Sequence, residues 1–210
     1  INMGLNVVAI DQVLEEENVS QIKFDYRKGG YIGTKHLLEQ GHTHIVYLTS
    51  KLDRPSRKSI YQGYVDAMEE AGLEPILEES NAGGLYTSVY DFDIGKRLAR
   101  KILKSQSHPT AIFACNDMMA FGVINELSIQ EISVPQDISV MGFDGIDFGL
   151  MIHPPLTTVK QPDYEMGKMA CKLLFDKIKG DDIPSYDVVL QPSLIKRHSV
   201  KQYELTPGLS

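Results

Sequence analysis

The chain lacks tryptophan altogether, and its only two cysteines are Cys115 and Cys171. Two thiols so far apart in sequence make neither a disulfide framework nor a zinc site. Positive charge is in deficit: 21 Lys and Arg stand against 28 Asp and Glu, for a formal net charge of -7 over 210 residues. That balance excludes an overall electrostatic footprint for DNA, RNA or an anionic membrane, while leaving room for a local patch. Long apolar runs are missing as well. The longest, such as residues 110–114, are the length of a strand, so no segment is fit to cross a bilayer as a helix. Residues 1–6 have neither the basic region nor the apolar core of a secretory leader, which sets the expectation of a cytoplasmic protein. With 42% hydrophobic and 23% charged residues, the chain is long enough for one large domain or two small lobes with a true core.

Short apolar runs alternate with amphipathic stretches, the pattern of β–α units around a mainly parallel sheet. Residues 5–10 read as a buried strand ending at Asp11, and 27–40 as a helix stopped by Gly41. Residues 45–48 form the next strand. The helix after it sets Tyr61, Tyr64, Val65, Met68 and Ala71 on one face and ends at Gly72. Asp91 or Asp93 is placed to cap a helix that buries Ile94, Leu98 and Ile102. A strand at 111–114 leads into a helix capped by Asn116-Asp117, and the strand at 138–141 ends in Gly142-Phe143-Asp144-Gly145. His153-Pro154-Pro155 breaks the pattern. Residues 156–161 then read as extended, followed by a helix burying Met166, Ala170, Leu173, Leu174 and Ile178, and by two short extended segments at 188–190 and 194–196. The tail after Gln202 is expected to be disordered.

In a parallel sheet, a ligand crevice forms where the strands end in polar residues. Asp11, Thr49-Ser50, Asn116-Asp117 and Asp144 each follow the carboxyl end of an inferred strand. This points to a site for a polar, uncharged or cationic small molecule. No motif adds chemistry to it. Gly29-Gly30-Tyr31-Ile32-Gly33 is not a dinucleotide loop, neither Gly95-Lys96 nor Gly167-Lys168 has the upstream glycine of a phosphate loop, and no nucleophile elbow is present. The sequence therefore calls for no cofactor. His42 and His44 lack a third ligand nearby and read as a polar loop entering a strand. Cys115 reads as a buried small hydrophobe. Asp117 reads first as a helix cap, whereas Asp144 fits neither a cap nor a hairpin turn.

The segment Val134-Pro135-Gln136-Asp137-Ile138-Ser139-Val140-Met141-Gly142-Phe143-Asp144 resembles a signature of the lactose-repressor/galactose-repressor (LacI/GalR) family of bacterial transcription regulators. Five further segments resemble family motifs in the family's order: Gly30 to His42 with His36-Leu37-Leu38; Gly63-Tyr64 to Met68 with Ala71-Gly72-Leu73; Pro109 to Phe113 with Asn116-Asp117 to Gly122; Pro154 to Pro162 with Met166-Gly167; and Leu190-Gln191-Pro192 through Arg197-His198-Ser199. The resemblance implies an α/β fold of the periplasmic-binding-protein type I, with two doubly wound parallel-sheet lobes joined by three crossovers. Residues 1–22 would be a fragment of the DNA-proximal subdomain, 23–160 the distal subdomain, 161–192 the return to the proximal one, 193–203 the final distal segment and 204–210 a tail. The proximal lobe is then incomplete, and the helix-turn-helix headpiece has no counterpart, so this chain alone is expected not to bind operator DNA.

The same resemblance implies a small-molecule effector, of the carbohydrate class, held in a cleft between the lobes of a homodimeric repressor. It makes Asp144 an acceptor for ligand hydroxyls, Asn116 an amide contact, Asp11 a contact from the proximal lobe and Tyr90 a ring-facing aromatic. Asp163 falls where some members place a ligand-facing aromatic, and reads equally as an N-cap. Many members carry Arg at the position of Ile60; here Arg57 and Lys58 lie one turn earlier, so either one of them reaches the ligand differently or the effector is not the usual monosaccharide. Gly145 also departs from the usual acidic or amide residue. Three other readings stay open: a solute-binding protein of a transport system, a regulator answering to a protein partner, and an enzyme using Asp117 and Asp144 as an acid/base pair, the last without nucleophile, metal set or cofactor loop.

Overall fold

The computed structural model describes residues 5–12, 19–80, 87–105, 108–179 and 184–203. The expectation for the tail at 204–210 lies outside the described residues. Two compact units divide the chain, Ile1–Asp25 with Gln161–Ser193 and Tyr26–Lys160 with Leu194–Ser210, so the chain passes from one to the other at three places. No described helix is long and apolar enough to cross a membrane.

The larger unit holds a six-stranded sheet. Its strands are β3 (Ile45–Ser50), β4 (Ile76–Ser80), β5 (Ala111–Ala114), β6 (Ser139–Asp144), β7 (Thr157–Lys160) and β9 (Ser193–Ile195), in the order β4-β3-β5-β6-β7-β9. The pairings β3–β4, β3–β5, β5–β6 and β6–β7 are all parallel. Four helices accompany them: α1 (Tyr26–Glu39), which leads into β3, and α2 (Pro55–Glu70), α3 (Ser88–Leu103) and α4 (Asp117–Ile129), which connect successive strands from β3 to β6. The smaller unit has a parallel three-stranded sheet, β1 (Val8–Ile10), β2 (Ser20–Phe24) and β8 (Asp187–Leu190), with helix α5 (Asp163–Ile178) against β1 and β2.

The alternation of side chains along a strand assigns the helices of the larger unit to its two faces. On one face, Gly29 and Gly33 of α1 lie against Phe143 and Phe113. Tyr61 and Tyr64 of α2 stack near Tyr47, with ring centroids 5.4 and 5.3 Å away. On the other face, Asp117 at the start of α4 sits against Gly142. The helices pair backbone to backbone through glycine: a Cβ at Gly63 would fall 1.9 Å from the Arg27 carbonyl oxygen, and one at Gly122 would fall 2.0 Å from that of Phe92. The buried stripe of α2 only partly follows the expected one. Tyr64 and Met68 are buried as expected and Ile60, Gly63 and Ala67 with them, while Tyr61 and Val65 are half-buried and Ala71 is exposed, because the close approach at Gly63 turns that side of the helix inward. Tyr64 also uses its polar end, its hydroxyl donating to the Ile45 carbonyl at 2.9 Å and accepting from Ile76 N–H at 2.8 Å, which ties β3 to β4.

Helix α3 is capped by Thr87, whose hydroxyl accepts from Tyr90 N–H, and not by Asp91 or Asp93. Asp163 is likewise the first residue of α5 and not its cap, which is Pro162. Strands β2 and β4 had no counterpart in the sequence reading. The expected strand at 5–10 is shorter, as Val8–Ile10.

His42 is fully buried in the larger unit, its Nδ1 3.0 Å from the Thr110 hydroxyl and its Nε2 3.1 Å from the Lys201 carbonyl oxygen. A carbonyl only accepts, so Nε2 carries the proton and the neutral ring satisfies both nitrogens. Burial pushes the ring's pKa down from 6.5 to about 4. On acidification the unfolded chain therefore takes up this proton first. The stability due to the neutral ring is complete above about pH 6.5 and is lost as pH falls towards 4, by at most roughly 3 kcal/mol. Urea unfolding is expected to show a steeper loss of stability over that window in the wild type than in His42→Gln; equal slopes would contradict the assignment.

Candidate functional site

The carboxyl ends of β3, β5 and β6 bring the polar residues of the larger unit together. Ser50 closes β3, Cys115-Asn116 follows β5, and Asp144 is the last residue of β6. From α2, Arg57 reaches the Asp91 carboxylate of α3, its Nη2 lying 3.0 and 2.9 Å from the two oxygens. Both side chains are almost fully buried. Asp91 in turn accepts from the Asn116 amide at 2.7 Å, while the Asn116 carbonyl oxygen accepts from Met119 N–H at 2.8 Å and caps α4. One polar chain, Arg57–Asp91–Asn116, thus runs from a helix on one face of the sheet to helices on the other, over the strand ends.

This chain sets what the edge can bind. The Arg57 guanidinium is already matched by a carboxylate, and the Asn116 amide is engaged at both its oxygen and its nitrogen. Lys58 is exposed one residue further along α2, and Tyr90 is half-buried in the first turn of α3. Ile60 is buried, 3% exposed. Behind the edge, the Tyr47 and Ser50 hydroxyls are buried with no hydrogen-bond partner among the described residues, an arrangement that calls for water or ligand. Burial raises the Tyr47 phenol well above its ordinary value, and the Asp144 charge pushes in the same direction against Arg57. The Cys115 thiol is pushed up to about 11, chiefly by burial, which leaves it a packed hydrophobe and no nucleophile.

Asp144 has φ of 121°, in the region that L side chains rarely adopt, and Gly145 follows at 77°. A non-glycine residue held there costs about 1–3 kcal/mol and persists only where its surroundings over-determine it. They do so here. Asp117 is fully buried and its Oδ2 accepts from the N–H groups of Gly145 at 2.9 Å and Ile146 at 2.8 Å, while Thr158 donates to Oδ1 at 2.6 Å. Burial raises the Asp117 carboxyl to about 6, against the pull of those three hydrogen bonds. Gly145 is required by space as well as by φ, since a Cβ there would lie 2.8 Å from Lys160.

In the smaller unit, Asp11 follows β1 with φ of 54° and Asp163 opens α5, both exposed. The described residues contain no cluster of His, Cys, Asp and Glu fit for a metal ion. A separate groove of about 330 Å³ lies at the far end of α4, lined by Ile124, Glu131, Ile132, Val134, His153 and Pro154. The sequence reading singled out Arg57 and Asn116 but missed Asp91 as the carboxylate between them. An acid one residue after Tyr90 on the otherwise apolar face of α3 was the available signal.

Residues 34–200 match the periplasmic binding protein-like domain family. The chain is 35% identical over 175 residues to the HTH-type transcriptional repressor PurR of Mannheimia succiniciproducens, covering 83% of this chain and 51% of that one. It is 33% identical over 198 residues to the ribose operon repressor of Haemophilus influenzae, covering 94% and 58%. The crystal structure of a LacI family transcriptional regulator from Enterococcus faecium with bound ribose superposes with a TM-score of 0.82 at 28% identity, over 94% of this chain and 71% of that one. Fold and strand-end site together define a ligand-binding α/β domain of the periplasmic-binding-protein class. The chain belongs to the periplasmic binding protein-like domain family, in its LacI/GalR branch. It spans little more than half the length of the curated relatives it matches.

Breaking the buried pair by Arg57→Met or by Asp91→Leu leaves one uncompensated charge and is expected to cost about 3–5 kcal/mol, with much of that restored in the double variant. The exposed Lys35–Glu70 pair of α1 and α2 serves as the control, its loss having little effect because solvent screens it. A double-mutant cycle by thermal denaturation checks this; equal losses at the two pairs would refute it.

Proposed function

We propose that the chain is the effector-binding part of a LacI-type transcriptional regulator, and that its strand-end edge takes a neutral, hydroxyl-rich small molecule of the carbohydrate class. The single observation that carries the proposal is Asp144, a half-buried carboxylate held on strained backbone at a strand end. Its neighbours favour the same ligand chemistry. The buried cation at this edge is neutralised within the protein by Asp91, so the edge is acidic and suits donors such as sugar hydroxyls better than an anion. Buried hydroxyls on Tyr47 and Ser50 extend the supply of donors and acceptors. Polar groups of this kind reject analogues that leave them unpaired.

In this reading Asp144 accepts from ligand hydroxyls. Arg57, Asp91 and Asn116 act as a braced wall that holds the strand ends in place. Tyr90 supplies an aromatic face, and Lys58 stays in solvent. Asp11 and Asp163, in the smaller unit, enter through the family resemblance. The effector regulates by binding one conformational state better than another, a coupling of order 1–3 kcal/mol to DNA binding by a headpiece outside this chain. The regulator acts as a homodimer in the cytoplasm and is not an enzyme. A nucleobase is the competing effector, favoured by the similarity to a repressor named PurR.

Thermal-shift and calorimetric titration with D-ribose, other pentoses, hexoses and nucleobases test the proposal. A ligand at 100 times its Kd adds roughly 2.7 kcal/mol of apparent stability. A pentose or hexose is expected to stabilise the chain, and Asp144→Ala is expected to abolish the shift with little change in the ligand-free melting temperature. Stabilisation by nucleobases alone would overturn the sugar assignment. A sugar shift that survives Asp144→Ala would overturn the site.

A further inference from the structure

Asp117 is more deeply committed than a helix-start acid needs to be. The N-cap of α4 is Asn116, whose side chain already accepts from Met119 N–H. A first-turn carboxylate already favours a helix N-terminus from an exposed position. Asp117 instead has no exposed surface, and both its oxygens point at the β6–β7 junction. Two consecutive N–H groups, those of Gly145 and Ile146, converge on one oxygen. They are the donors immediately after Asp144, whose backbone lies in a strained region. The space is shaped on both sides: a Cβ at Gly142 would lie 2.3 Å from the Asp117 Oδ1, and one at Gly145 would collide with Lys160.

We infer that Asp117 is the positioning residue for Asp144: by gripping the two N–H groups that follow it, the buried carboxylate fixes the direction from which Asp144 meets a ligand. The inference deepens the reading of Asp144 given above and rests on it. Charged groups on the elements packed there are Asp144 on β6, Lys160 on β7 and Arg197 in the closing segment, whose guanidinium favours the ionised form of Asp117. Because burial carries the Asp117 carboxyl to about 6, its titration stands apart from that of ordinary exposed carboxylates.

The test uses amide NMR on the whole chain with D-ribose as the probe. Asp117→Ala removes the grip. It is expected to speed hydrogen exchange at Gly145 and Ile146 about tenfold or more, and to weaken D-ribose binding by a similar factor. Asp117→Asn is the conservative rescue: its amide oxygen accepts both N–H groups while its NH2 donates to Thr158, so protection and binding are largely retained. In the wild type the Gly145 and Ile146 amide shifts are expected to titrate together near pH 6, and in Asp117→Asn they are not. Should Asp117→Ala fail to fold, that pair of titrations decides alone. Unchanged exchange in Asp117→Ala, or wild-type Gly145 and Ile146 amide shifts that do not move together anywhere in an acid titration, would overturn the inference. If the wild type does not bind D-ribose, the sugar proposal fails for that ligand, and the exchange and titration results still decide whether Asp117 holds the turn.

Discussion

A single buried ion pair organises the upper edge of the larger unit. Arg57 and Asp91 come from helices on opposite faces of the sheet, and the bond between them closes over the ends of the strands. Taking two charges out of water is unfavourable unless their remaining polar atoms are also engaged. The Asn116 amide does this for Asp91, and in doing so it orients the first turn of α4. Asp117 stands next in the chain, so the geometry of the ion pair passes through α4 to the turn that bears Asp144. Surface pairs such as Lys35–Glu70 and Lys101–Glu78 hold no comparable place, because solvent and entropy take back most of what they contribute.

Much of the edge is built from groups that satisfy one another, with the Tyr47 and Ser50 hydroxyls left over behind it and Asp144 at its margin. Placing a carboxylate on a strained strand end is costly, and the structure offsets it with two glycines and a buried acceptor rather than with a relaxed turn. An edge of this kind holds its shape before a ligand arrives, which limits the ordering that binding must impose. It also explains why the buried cation is absent from the proposed ligand contacts. Its charge is already matched by one carboxylate, so it does not set the charge that a ligand must carry.

Much of this was legible in the amino-acid sequence, for physical reasons that differ from element to element. The central strands around Val46, Ile112 and Val140 are buried on both faces, so they stand out as continuous apolar runs. Asp144 stood out because Gly-Phe-Asp-Gly fits no ordinary cap or turn, and its positive φ is the reason. Strand β4 was missed because Ile76-Leu77-Glu78-Glu79-Ser80 is an edge strand, with every residue only partly buried and two acids along it. Strand β2 was missed because Ser20, Gln21 and Lys23 dilute its apolar content; the alternation of Ile22 with Phe24 was the remaining signal. The pairing of Arg57 with Asp91 was harder to read, since a contact between different helices leaves no local trace beyond an acid on the apolar face of α3. Asp117 was read as a cap from its position, and only the contacts across β6 and β7 separate it from Asn116.

The central claim is that the turn after β6 is the ligand face of this domain. Mapping amide shift changes as D-ribose is titrated into the chain tests it most directly. The account predicts that the largest changes fall at Asp144, Gly145 and Ile146, with smaller ones at Ser50. Changes confined to the groove around Ile124, Ile132 and Pro154 at the other end of α4 would contradict it.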